Sequence, residues 1–432
     1  MSYGVVKPLM NSDAATEFGH QIRRVTLEQQ SEIRIQVDRV SPLKLRVIDG
    51  KVEIFGSELP QKVWLTLPPL LQLAVFTWYG ATIEIAGVTK TDTSNKTPMV
   101  DYRRVNYSLH AERRYSVASS SQGPRVIIVG AIDSGKSALA KMLLSWAAKD
   151  GWEPTIVDLN VGQSSRTIPG TIAATSIKMP VDPVEGSPLD KALVHYFGHT
   201  TPRTNLRLYK ALVEKLAQEL EEEFTENAKS RASGMVIDTM GWIDGIGYTL
   251  LVHAIRKFNA SLVIVLGQEP KLVNDLNKDL RFKKNVQILN LEKSAGVFSR
   301  GSDFRRTLRN NNIHKYYYGA TKDLTVYMKT AKFSDVQVYQ IGNLQERSAL
   351  QRGNNNNPLK ITPVKIDKDL VNKVRAISYA KQPHQIISRI VAGFVCIKNV
   401  DLGEERITYR SPSATELPSK NLIMGTLTWN EN

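Results

Sequence analysis

One cysteine, Cys396, stands in a chain of 432 residues, so no disulfide can close within the chain and no cysteine cluster can hold zinc. That scarcity fits a reducing nuclear or cytosolic compartment. Acidic side chains are also short: 42 Asp and Glu face 57 Lys and Arg, a formal charge of +15. A field of that sign attracts polyanions, nucleic acid first among them, while a share of the lysines is ordinary solvated surface. No apolar run reaches membrane-spanning length, and the start, Met1-Ser2-Tyr3-Gly4, has no charged-then-apolar leader. The expectation is a protein that is neither membrane-bound nor exported. No internal repeat is visible, and no Asn-Lys-x-Asp guanine reader follows Leu262 to Leu266.

What is present divides by periodicity. A length of 432 residues exceeds one ordinary core. The first hundred or so residues read as short strands between turn signals: Glu32 to Val37, Leu43 to Val47, Gly50 to Phe55, Leu73 to Trp78 and Ala81 to Ile85. This predicts an N-terminal all-β domain, residues 1–118, with a small-residue hinge at Ser116 to Gln122. Residues 119–325 alternate strand and helix, with strands expected at Val126 to Val129, Thr155 to Leu159, Met235 to Asp238, Leu262 to Leu266 and Val286 to Leu289. Such alternation predicts an α/β core, a parallel sheet with helices on both faces. Leu208, Leu212, Leu216, Leu220 and Phe224 fall four apart on a long helix and read as its core-facing stripe. Residues 326–432 are mixed and read as a small C-terminal domain interrupted by the loop Arg352 to Pro358.

The central domain opens with a hydrophobic strand running into Gly130-Ala131-Ile132-Asp133-Ser134-Gly135-Lys136-Ser137, the pattern G-x-x-x-x-G-K-S. Glycines at both ends let the backbone curl so that its N–H groups point at phosphate oxygens. Lys136 can reach the terminal phosphates, and the Ser137 hydroxyl can ligate Mg²⁺. Ala138, Leu139, Met142, Leu143, Trp146 and Ala147 then recur at helical spacing until Lys149-Asp150-Gly151. A strand-loop-helix setting makes this a P-loop NTPase core rather than a plain Gly-rich turn. The residues that touch nucleotide are then expected to be Gly130, Asp133, Ser134, Gly135, Lys136, Ser137 and Ala138.

Ligands of open α/β sheets gather beyond the carboxyl ends of the strands. Asp158 and Asp238 each end an apolar strand, where an aspartate near a P-loop commonly holds Mg²⁺; the bland alternative for both is a turn or cap aspartate. Trp242, between Gly241 and Gly245, can stack on a base or plug the core. The basic segment Ser294 to Arg306 carries Arg300 and Arg305 on a glycine-containing loop, and such arginines can close over a phosphoryl group.

Taken together, these segments resemble the eukaryotic polynucleotide 5′-hydroxyl kinase family typified by the kinase-like subunit of the pre-mRNA cleavage and polyadenylation complex. The likeness covers almost the full chain. Its carriers are Val52 to Leu59, Ala74 to Trp78, the P-loop, Asp158 to Gln163, Ile168-Pro169-Gly170, Tyr196 to Pro202, Thr239 to Trp242 and Tyr316 to Gly319. The resemblance implies three domains, an ATP and Mg²⁺ site, RNA as the polymer substrate and a nuclear location. It also implies partners among the subunits of the cleavage and polyadenylation complex, with some family members working with the tRNA-splicing endonuclease. Carried over by motif, Glu32 and Gln72 occupy nucleotide-contacting positions, Gln163, Thr201 and Trp242 lie at the RNA end, and Arg300 and Arg305 belong to a lid.

Departures from the family pattern bear on activity. Asn160 stands where the family has its catalytic aspartate, and an amide cannot take a proton; losing a general base typically costs a factor of about 10² to 10⁴. Ala131, Ile132 and Ala138 replace the usual proline, threonine and second hydroxyl, and Gln72 a usual basic residue. Asp238 stands where the family generally has asparagine, so carboxylate and amide look exchanged between two strand ends. Two functions follow: an ATP-binding subunit required for pre-mRNA 3′-end cleavage, or a working RNA 5′-hydroxyl kinase that also serves tRNA splicing. Catalytic roles fall to Lys136, Asp158, Asp238, Arg300 and Arg305, with Ser137 and Asp158 as metal ligands.

Overall fold

Period-two burial shapes the N-terminal strands: Leu43, Leu45 and Val47 are buried while the residues between them are half-exposed. Each such side chain contributes about 1.5–3 kcal/mol when removed from water. A computed structural model describes residues 22–164, 166–188, 191–283, 285–320, 324–342 and 357–430. The start Met1 to Gly4, and the loop Arg352 to Pro358 apart from Asn357 and Pro358, lie outside the described residues. Strands β1 (Ile22–Leu27), β2 (Ser31–Val37), β3 (Leu43–Gly50), β4 (Glu53–Ile54), β5 (Ser57–Glu58), β6 (Leu65–Leu67), β7 (Gln72–Thr77), β8 (Ala81–Ala86) and β9 (Thr89–Ser94) form two antiparallel sheets. Their orders are β1-β8-β3-β6 and β5-β4-β7-β2-β9. The single strand expected over Gly50 to Phe55 is instead the end of β3 and the short β4, because Phe55 and Gly56, at φ 50° and 79°, turn the chain into the β4–β5 hairpin.

The chain divides into compact units at Thr97/Pro98, ahead of the expected serine-rich hinge. Helix α1 (Met99–Ala118) belongs to the second unit, packing on α2 (Lys136–Lys149) and α4 (Ala228–Ser233). Its buried Arg113 donates to the Ser233 carbonyl at 3.0 Å, and Tyr102 OH donates to the Glu292 carbonyl at 2.7 Å. The serines that follow continue the helix end: Ser119 N–H donates to the Tyr115 carbonyl at 2.9 Å and Ser121 N–H to the Ser116 carbonyl at 3.0 Å.

The second unit is built on a seven-stranded sheet of order β13-β12-β11-β14-β10-β15-β16. Its strands are β10 (Arg125–Val129), β11 (Thr155–Asp158), β12 (Thr171–Ser176), β13 (Leu193–Tyr196), β14 (Met235–Asp238), β15 (Leu262–Leu266) and β16 (Gln287–Leu291). Five of them pair in parallel, as expected for apolar runs such as Val126 to Val129, buried on both faces. The sheet is nonetheless mixed, since β12 runs antiparallel to both β11 and β13. Helices α3 (Leu206–Glu226), α5 (Gly245–Lys257), α6 (Pro270–Leu280) and α7 (Ser302–Tyr318) complete the layers. The leucine stripe of α3 is buried as its spacing predicts.

The C-terminal strands β17 (Tyr327–Lys332), β18 (Gln337–Ile341), β19 (Ile361–Val364), β20 (Val374–Ser378), β21 (Val391–Asp401), β22 (Arg406–Ser411) and β23 (Asn421–Ile423) form a second seven-stranded sheet. Alternation along β21 sends its two faces to different cores. Phe394 and Cys396 join the large core around Tyr196, Ile313 and Tyr317, while Val395 and Ile397 pack with Ile407 and Leu422. This C-terminal part therefore shares its core with the helices that carry the site. Among the described residues, no helix is long and apolar enough to cross a membrane.

Candidate functional site

Strand β10 delivers the P-loop to the carboxyl edge of the sheet. At Gly130, φ is 152° and a Cβ would lie 2.5 Å from the Leu266 carbonyl oxygen, so only glycine fits. Asp133 adopts φ 56°, a left-handed conformation that aspartate tolerates better than most residues. The turn ends at the first residues of α2, where unpaired helix N–H groups favour an anion. Lys136 is buried, and its ammonium donates to the Gly130 carbonyl at 3.0 Å and the Ala131 carbonyl at 2.7 Å. Burial lowers its pKa, opposed by the charges of Asp238, Asp133 and Glu269.

Beside the loop stand two carboxylates. Asp158 and Asp238 are register partners on adjacent strands, 1% and 3% exposed. Ser137 Oγ donates to Asp238 Oδ2 at 2.5 Å, while the buried Oδ1 has no hydrogen-bond partner among the described residues. Burial first, then the Asp158 charge, pushes the Asp238 carboxyl up to about 6. Asp158 is differently placed: Oδ1 accepts from Asn160 N–H at 2.9 Å and Oδ2 from Ser164 Oγ at 3.2 Å. The Asn160 amide oxygen accepts from Gln163 N–H at 3.3 Å, which makes it a turn-forming group.

The basic segment expected as a lid does reach the P-loop. Asp133 Oδ2 accepts from Arg300 N–H at 2.9 Å and from the Arg305 guanidinium at 2.6 Å. A Cβ on Gly135 would lie 3.3 Å from Val297 Cγ2, so the same segment covers the loop's second glycine. Gln163 Nε2 donates to the Arg305 carbonyl at 3.4 Å, tying the strand-end loop to α7.

The other two RNA-end candidates sit on two neighbouring loops. Thr201 accepts from Arg203 N–H at 3.4 Å and caps the short turn Pro202–Thr204. Trp242 follows β14, and a Cβ on Gly241 would lie 2.5 Å from Ile132 Cα, so this loop lies directly on the P-loop. The two nucleotide candidates of the first unit are held within it. Glu32 accepts from Arg34 Nε and from Thr97 Oγ1, each at 2.8 Å. Gln72 begins β7 opposite Gln36.

Sequence reasoning missed three cations. Burial lowers the Lys141 pKa to about 8, with Arg166, Lys315 and Arg300 adding to the effect and Asp238 opposing it. Arg166 is nearly buried, its Nε without a partner among the described residues, and feels both Asp158 and Asp238. Arg203 holds its guanidinium 4.2 Å from the centre of the Trp242 ring. Lys141 had a usable signal, since it lies one helical turn beyond Ser137.

Known proteins match this arrangement over its whole length. Residues 26–116 match the N-terminal beta-sandwich domain of polyadenylation factor, residues 130–319 the P-loop of mRNA cleavage and polyadenylation factor CLP1, and residues 324–431 the pre-mRNA cleavage complex II protein Clp1. A protein CLP1 homolog 5 of Arabidopsis thaliana is 69% identical over 422 residues, covering 95% of this chain and 99% of the relative. The chain belongs to the Clp1 family. The polyribonucleotide 5′-hydroxyl-kinase Clp1 of Homo sapiens is 37% identical over 403 residues, 92% of this chain and 94% of the human one. Among solved structures, Clp1p in the wild-type Clp1p–Pcf11p complex has a TM-score of 0.83 at 23% identity, covering 96% and 99% of the two chains, a likeness of fold. The Clp1 family supplies a P-loop nucleotide-binding subunit of the pre-mRNA cleavage complex, and it includes proteins named as kinases, as the resemblance read from the sequence implied.

Proposed function

We propose that this chain binds ATP with Mg²⁺ at the P-loop and works as a nuclear subunit required for the cleavage step of pre-mRNA 3′-end formation. The observation that carries this reading is the closed cradle of Gly130 to Ser137 together with the Ser137–Asp238 pair. Its donor set suits the proposed ligand. Lys136 and the α2 N-terminus would hold phosphates, and Ser137 with Asp238 and Asp158 would hold Mg²⁺, hard oxygens for a hard cation. The orphaned Oδ1 of Asp238 is the atom most in need of a cation. Bound ATP would supply the transferable γ-phosphoryl group. Assembly with a Pcf11-like cleavage-factor subunit is inferred from the complex in which the similar Clp1p was solved.

A second reading, RNA 5′-hydroxyl kinase, is favoured by two observations. Asp238 carries a carboxyl raised to about 6, close to the working range of a general base, and the lid arginines are latched to the P-loop. Asn160, with its amide oxygen spent on Gln163, offers no such group. Calorimetry with Mg²⁺ and ATP on nucleotide-stripped, folded protein tests the first reading. Uptake is expected, and Lys136→Ala should weaken it about 10- to 100-fold, the worth of a charge-assisted contact. No uptake by the parent protein sinks it. Transfer of labelled γ-phosphate to 5′-hydroxyl RNA tests the second: activity that survives Asp238→Asn unchanged removes Asp238 from the chemistry.

A further inference from the structure

Arg203 and Trp242 form a pair that the phosphate cradle does not use. Arg203 sits in the turn after β13 and Trp242 in the loop after β14, and both strands end on the edge of the sheet where the P-loop begins. The indole is fixed from behind. A Cβ on Gly247 of α5 would lie 2.3 Å from Trp242 Cγ, so the helix backbone backs the ring. In front, the exposed Arg203 guanidinium lies 4.2 Å from the ring centre. Among the described residues Arg203 has no carboxylate partner, and its backbone N–H is held by Thr201. A fixed indole, a planar cation on a turn and an adjoining phosphate site have the parts that single-stranded nucleic acid needs: a stacking face and a backbone charge.

We propose that Arg203 is a nucleic-acid-contacting residue that, with Trp242, clamps the terminal base of a single-stranded RNA end. This rests on the nucleotide reading above and adds to it the residue that grips the polymer. An exposed cation–π contact is worth about 0.5–1 kcal/mol, less than the about 1–3 kcal/mol of a base stacked on an aromatic ring. A base can therefore part the pair at little cost, leaving the guanidinium to stack on its free face or to meet the adjoining phosphate. Lysine could supply only the charge.

The test measures binding of a short fluorescent 5′-hydroxyl oligoribonucleotide to the full chain across a salt series. Arg203→Ala should weaken binding about 3- to 10-fold and flatten the log–log salt slope by about 0.7, the single-strand value for one lost contact. Arg203→Lys should restore the slope but only part of the affinity. With Trp242→Ala already present, Arg203→Ala should cost clearly less than it does alone. Unchanged or tighter binding by Arg203→Ala overturns the clamp, as do strict additivity with Trp242→Ala and a parent protein that binds no RNA. Calorimetric ATP uptake by Arg203→Ala should match the parent, so loss of the clamp and loss of the nucleotide reading give different results.

Discussion

Replacing Asp238 by asparagine separates the two tasks of its carboxylate. The group is 3% exposed beside Asp158, and its pKa is raised by burial and by that neighbour from 3.8 to about 6. A carboxyl raised on folding binds its proton more tightly in the native state. Its contribution to stability is therefore complete below the unfolded value of 3.8 and is lost as pH rises through about 6. A rise of roughly two units corresponds to a penalty of about 3 kcal/mol at neutral pH. Asparagine removes the charge yet can still accept from Ser137, giving up about 1 kcal/mol of charge-assisted bonding. Asp238→Asn should thus be about 2 kcal/mol more stable than the parent at neutral pH in chelator, and no more stable near pH 4. Mg²⁺ and ATP should reverse the order, since ligand stabilisation follows affinity and the variant has lost an anionic oxygen. Hydrogen exchange of the β10 and β14 amides, read across pH with and without Mg²⁺ and ATP, measures all three. A variant less stable than the parent at neutral pH, or an advantage that persists on acidification, refutes the reasoning.

Three further outcomes are expected. Asp133→Asn should loosen residues 294–306 from the P-loop, because Asp133 Oδ2 takes both Arg300 N–H and Arg305; a loss of about 1–3 kcal/mol should speed exchange in that segment and shorten the ATP residence time in stopped-flow release. Gly241→Ala drives a methyl to 2.5 Å from Ile132 Cα and should weaken ATP uptake about tenfold or more through P-loop displacement, read by calorimetry. In the first unit, burial raises the Glu84 carboxyl but bonds from Arg24 and Arg46, each at 2.7 Å, outweigh it and leave the pKa lowered. That stabilisation is present above the ordinary value of 4.5 and is lost as pH falls through the lowered one, so Glu84→Gln should cost about 1–3 kcal/mol at neutral pH and progressively less in acid, read by exchange in β3 and β8.

The P-loop was legible because each of its requirements is local: a strand of four apolar residues, glycines at the two bends and a following helix rich in apolar residues. Strands β12 and β13 were not. Thr171-Ile172-Ala173-Ala174-Thr175-Ser176 has small residues at every position but Ile172 and is buried almost throughout, so it shows neither alternation nor a bulky apolar run. The C-terminal part read as mixed for a related reason. Phe394, Val395, Cys396 and Ile397 are all apolar because β21 packs on both faces, which erases the period of two. The segment Ser294 to Arg306 is legibly basic, but its grip on Asp133 spans 167 and 172 residues of sequence and depends on the fold alone.

The amide at 160 and the carboxylate at 238, which the family resemblance implies are exchanged, acquire a physical sense from these placements. Asp158 already fills the end of β11, and its oxygens are engaged by Asn160 N–H and Ser164 Oγ. Two residues beyond it, a carboxylate at 160 would add a third negative charge to a strand end where the Asp158 charge already contributes to raising the Asp238 carboxyl to about 6. Carrying asparagine at 160 limits that repulsion and leaves its amide oxygen to close the loop onto Gln163. With Ser137 Oγ 2.5 Å from Asp238, the negative charge nearest the proposed metal ligand lies at the end of β14, one strand along the sheet from β11, on the side of Lys136 and Lys141. In the function proposed here, this favours retention of Mg²⁺ and ATP over efficient proton removal from a 5′-hydroxyl. A carboxylate hydrogen-bonded to Ser137 serves a cation well, but it is committed to that bond before any RNA end arrives.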